Sequence, residues 1–78
     1  MSSHLVLYVK SAEERLTVTG LTSQNTVAEL KARLETVAGV PADQQRLIFK
    51  GRVLGDAKAL AEYGARTSSR LHLLHSTL

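Results

Sequence analysis

The chain has 78 residues, 44% of them apolar and 22% charged, with no cysteine and three aromatics. That length suits one domain and excludes a multidomain enzyme, and the composition excludes a disordered chain, a disulfide framework and a thiolate metal site. The net charge of +3 is uneven, with four residues of each sign in 1–40 but six basic and three acidic in 41–78, a balance that fits an acidic protein partner.

The longest apolar run, Leu5 to Val9, is far shorter than the roughly 20 residues a membrane span needs, and no signal-peptide pattern precedes it. The sequence therefore predicts a cytoplasmic or nuclear protein with no membrane partner. Met1 to His4 read as a frayed terminus. Leu5–Lys10 and the alternating Leu16, Val18 and Gly20 predict a hairpin around a Ser11–Arg15 loop. Leu5, Leu7 and Val9 then point inward, and Val6, Tyr8 and Lys10 outward.

Thr26-Val27-Ala28-Glu29 matches the capping box, in which the threonine hydroxyl and the glutamate carboxylate each satisfy the other residue's backbone amide. A helix is expected from Thr26 to Ala38. Its apolar stripe is Val27, Leu30, Leu34 and Ala38, widened by Val37, with Glu29, Lys31, Arg33 and Glu35 off it. Gly39 ends the helix and Pro41 blocks its resumption.

Asp43 to Gly51 reads as a third strand, with Leu47 and Phe49 on one face and Arg46, Ile48 and Lys50 on the other. Arg52-Val53-Leu54 is a stub strand, and Ala57 to Tyr63 suits one turn of short helix before Gly64. Arg70 to His75 is the last strand, with Leu71 and Leu73 inward and Arg70, His72 and Leu74 outward. This order predicts an α+β fold, a mixed sheet of four to five strands with one helix packed on it, in a single domain over 1–78 whose ordered core spans about residues 5–75.

The run from Gly39 to Arg52, GVPADQQRLIFKGR, resembles ubiquitin and its relatives nearly letter for letter, as do Leu60-x-x-Tyr63 and Leu71-His72-Leu73. The resemblance extends over about Leu5 to Leu74 and implies the β-grasp fold. The turn Ser11-Ala12-Glu13-Glu14-Arg15 departs from it, lacking the glycine and apolar residue of ubiquitin's loop. Of the lysines that build ubiquitin chains, only Lys10 and Lys31 have counterparts, and the two best-known positions read Arg52 and Thr67. The end His75-Ser76-Thr77-Leu78 also lacks the Arg-Gly-Gly tail through which such modifiers are joined to lysine. The resemblance thus implies a non-conjugated ubiquitin-like domain, expected to sit in a larger protein. The loop Phe49 to Lys58 is also similar to ubiquitin-like domains of protein-targeting factors.

The resemblance further implies a recognition surface for ubiquitin receptors, proteasome subunits or chaperone cofactors. Residues matching Ile48, His72 and Leu74 form its apolar patch in ubiquitin. Arg46, Lys50, Gly51, Arg52 and Arg70 lie around that patch, and their charge gives it a basic rim. The expected partner has an apolar anchor flanked by Asp or Glu, because a small desolvated centre supplies affinity and the charged rim supplies orientation.

A conjugatable modifier whose diglycine tail lies beyond the given end is the alternative reading. A weak nucleic-acid binder is a lesser one, since +3 is small for neutralising several phosphates and only Tyr8 offers an exposed stacking ring. No nucleophile elbow, phosphate loop or metal-ligand spacing is present, so neither an enzyme nor a cofactor, metal or small-molecule substrate is expected. Nothing in the pattern calls for more than a monomer.

Overall fold

A computed structural model describes residues 4–12 and 14–75. Five strands, β1 (His4–Lys10), β2 (Arg15–Thr22), β3 (Gln45–Phe49), β4 (Arg52–Val53) and β5 (Arg70–His75), form one sheet in the order β2-β1-β5-β3-β4. β1 and β5 run parallel at its centre, and the other three pairs are antiparallel. The helix α1 (Val27–Ala38) packs its apolar stripe on one face, and single turns of 3₁₀ helix lie at Ala42–Gln44 and Leu60–Tyr63. This is the β-grasp arrangement.

Alternation builds the core. Leu7, Val9, Val18, Leu47 and Leu71 project from the inner face of the sheet and are buried with Leu30 and Leu34 of α1 and with Leu60. A β-bulge lies opposite Leu5 to Leu7, where β2 spends one extra residue. Gly20 takes φ +86° there, and the bulge returns Leu21 to the inner face, so Leu21 rather than Gly20 continues the buried set. His4 opens β1 and pairs with Thr22, not a frayed end, whereas Met1–Ser3 lie outside the described residues. Arg15 belongs to β2, opposite Lys10, and not to the loop.

Thr26 caps α1 as its sequence predicts: Glu29 N donates to Thr26 Oγ1 at 3.3 Å and Thr26 N donates to Glu29 Oε1 at 2.9 Å. Asn25 Nδ2 donates to Glu29 Oε2 at 2.9 Å. The bonds the carboxylate accepts, from Thr26 N first and then from Asn25 Nδ2 and Thr26 Oγ1, favour its ionised form and lower the Glu29 pKa. The amides of Val27 and Ala28 donate to the carbonyls of Lys58 and Asp56, which fastens the loop after β4 to the helix start.

Two helix assignments need correction. Val37 is 49% exposed and does not widen the buried stripe. Lys31, four residues after Val27, lies on the stripe and is only 8% exposed: its stem packs inward while Nζ reaches Asp56 Oδ1 at 2.7 Å. The third strand is also shorter than its apolar pattern suggests. Ala42–Gln44 form a 3₁₀ turn, and Gln45 Nε2 donates to the carbonyls of Lys31 and Val40, tying β3 to the middle of α1 and to the segment that follows it. Lys50 and Gly51 have φ +53° and +78° and make a two-residue turn of the mirror-image kind whose twist suits a hairpin, so Lys50 is a turn residue, not a strand residue. The predicted Ala57–Tyr63 turn narrows to Leu60–Tyr63, secured by Gly55 N donating to Tyr63 Oη at 2.8 Å. Among the described residues, no helix is long and apolar enough to cross a membrane.

Candidate functional site

Among the described residues no element covers the sheet face opposite α1, which carries the outward residues of every strand. Register decides which of them meet. Ile48 pairs with His72 on β5 and with Val53 on β4, and cross-strand partners share a face with their Cβ atoms about 5 Å apart. Leu74 pairs with Arg46 and lies diagonal to Ile48. Ile48, His72, Leu74 and Arg46 therefore form one contiguous surface.

The apolar centre differs from its sequence reading in two respects. Ile48 is half-buried, because strands flank it on both sides, whereas Leu74 is 49% exposed near the end of β5. Val53, which the sequence reading leaves in a stub strand without a role, is 59% exposed beside Ile48 and enlarges the apolar area. The hairpin register would have pointed to it: a two-residue turn at Lys50-Gly51 sets Phe49 against Arg52 and hence Ile48 against Val53.

The surrounding residues separate. Lys50 stands at the hairpin tip with Nζ 5.3 Å from the centre of the Phe49 ring, and Gly51 beside it is exposed. Arg52 pairs with Phe49, whose ring is buried, so alternation directs Arg52 away from the outer face. Arg70 pairs with Tyr8 on β1, on the side of His72 remote from Leu74. Arg46, Arg52 and Arg70 make no ion pair among the described residues, leaving their charge free to act on a partner.

Val6, read as outward, is half-buried, and its amide donates to Thr67 Oγ1; Tyr8 is 43% exposed. His75 Nε2 lies 2.8 Å from Gln44 Oε1, and alternation places it on the face opposite His72. Among the described residues no three His, Asp or Glu side chains gather in a metal-binding arrangement.

Sequence comparison places this geometry among known proteins. The family model described as "Ubiquitin family" matches residues 7–78. The chain is 44% identical to Ubiquitin-like protein NEDD8 of Dictyostelium discoideum over 48 residues, 62% of each chain. It is 35% identical to human Ubiquitin-like protein 4A over 68 residues, 87% of this chain and 43% of that protein. With Ubiquitin domain-containing protein DSK2b of Arabidopsis thaliana it shares 38% identity over 53 residues, 68% of this chain and 10% of that protein. The match thus spans less than two thirds of the length of each of these relatives.

Proposed function

Because this chain belongs to the ubiquitin family, we propose that it is a non-catalytic interaction module of a larger protein, working in the cytoplasm or nucleus. It recruits a ubiquitin receptor, a proteasome subunit or a chaperone or targeting cofactor through Ile48, Val53, His72 and Leu74. The observation that carries this reading is the register, which sets four apolar or amphipathic side chains side by side on an uncovered sheet face with cations at the margin. Arg46, Lys50, Gly51 and Arg70 border this area on the outer face and its hairpin tip, with Arg52 at the edge. A partner with an apolar anchor and acidic flanks fits the surface, since desolvation of the anchor supplies affinity and charge supplies orientation and speed. The domain acts as a monomer and needs no cofactor.

The relatives support a domain of a longer chain: the matched segments are 10% of the Arabidopsis protein and 43% of the human one. The Dictyostelium relative, matched at 44% identity over 62% of its length, supports a second reading, a conjugatable modifier whose diglycine tail lies beyond the given end.

Paired affinity capture from cell extract tests the first reading. Ile48→Ala and Leu74→Ala baits should each lose the wild-type partners by about tenfold or more, the effect of removing a hot-spot residue, while keeping native circular dichroism. Identical partner lists for all three baits would contradict it. A thioester formed by the full natural chain with an activating enzyme and ATP would establish the modifier instead.

A further inference from the structure

Past His72 the outer face continues onto β1 and β2 and changes character. Arg15, Lys10 and His72 occupy one row across three strands, Lys10 being the register partner of Arg15 on one side and of His72 on the other. Thr17, Tyr8 and Arg70 form the next row in the same way. Rows two residues apart along a strand are separated by about 7 Å. Between them runs an open groove of about 470 Å³, floored by the main chain of Leu16, Val9 and Leu71, whose side chains point into the core.

Three permanent cations line this groove, and none of the described residues lining it is acidic. Arg15, Lys10 and Arg70 make no ion pair among the described residues. Like charges directly opposite each other in a sheet destabilise it, so Lys10 against Arg15 works against a small fold that has no disulfide to hold it. Neither residue contributes to the core or caps an element. An anion lying between the rows would convert this repulsion into attraction. The half-exposed Tyr8 ring offers apolar surface in the middle of the groove.

We propose that the groove binds an acidic peptide segment of a partner protein, laid across β2, β1 and β5, with its carboxylates on Arg15, Lys10 and Arg70 and its aliphatic stems on Tyr8. The charge of the walls selects a polyanion, and the presence of one ring instead of a series of stacking platforms selects peptide over single-stranded nucleic acid. The site goes beyond the recruiting surface: it is centred on β1 and β2 and meets that surface only along β5, at His72 and the bordering Arg70.

The test is an amide chemical-shift titration of the isotopically labelled chain at low ionic strength with hexaglutamate. Hexaglutamine and a uridine octanucleotide serve as comparisons. Hexaglutamate should give saturable shifts centred on Tyr8, Lys10, Arg15, Thr17 and Arg70, weakened by salt, and hexaglutamine should give none. Arg15→Gln and Arg70→Gln, both at exposed positions, should each weaken binding by about tenfold, the loss expected for one charge-assisted contact, while their amide spectra stay dispersed. Ile48→Ala should bind hexaglutamate as the wild type does, which separates failure of the groove from failure of the recruiting surface. Shifts scattered over all lysines and arginines, shifts centred on Arg46, no saturation, or tighter binding of the oligonucleotide would each overturn the proposal.

Discussion

Over β3, β4 and β5 the outward side chains bring Ile48, Val53 and Leu74 together with Arg46 at their margin, whereas over β1 and β2 they set Lys10 against Arg15 beside Tyr8 and Thr17. Both halves belong to one continuous sheet, and their inward rows are equally aliphatic: Leu47, Leu71 and Leu73 in the first, Leu7, Val9 and Val18 in the second. The core imposes one chemistry on these buried positions, since each must exclude water against α1 or its neighbours. Outward positions carry no such demand, so their divergence reflects what the surface meets. One half is suited to desolvation and the other to charge.

The largest effect expected from this comparison separates adjacent residues of β3. Leu47 is fully buried, so Leu47→Ala should cost about 2–5 kcal/mol of stability, against about 1 kcal/mol for the half-buried Ile48. Urea unfolding measures both; equal losses would mean that the two faces do not differ as described. In the other half, Arg15→Glu replaces a like-charge pair with an attractive one opposite Lys10. It should raise stability by about 0.2–1 kcal/mol at low salt, with the gain shrinking as salt is added. A loss of stability would show that the repulsion is not felt.

The smallest effect lies outside both halves and reports on the fold that holds them. Glu29 has a lowered pKa in the folded state, so its cap stabilises fully above the ordinary glutamate range and loses that contribution as pH falls through that range to the lowered folded value. Glu29→Gln should therefore be less stable than wild type at neutral pH, and the two unfolding curves should converge in acid. A gap independent of pH would assign the cap to hydrogen bonding without charge.

Much of this architecture is legible in the residues themselves. The Thr26/Glu29 box, the Gly39 stop and the alternation of β1, β3 and β5 are local signals, each set by neighbours within a few positions. What escapes the sequence depends on distant partners. Lys31 looks like a surface cation until Asp56 is brought to it across 25 positions of chain, and Leu21 looks out of phase until the bulge at Gly20 is known. The site divides in the same way. Family resemblance points to Ile48, His72 and Leu74, but Val53 joins them only once the Lys50-Gly51 turn fixes the register of β4. The groove between the Lys10 and Tyr8 rows is invisible in sequence because each row crosses from β1 to its parallel neighbour β5, some 60 residues away in the chain.

The most direct test of a working surface centred on β3, β4 and β5 is an amide shift map of the labelled domain against a purified partner recovered with the wild-type bait. The largest changes are expected at Ile48, Val53, His72 and Leu74, with Thr36 and Val37 on the far side of α1 unmoved. Changes centred on the exposed side of α1, with Ile48 and Val53 silent, would contradict it.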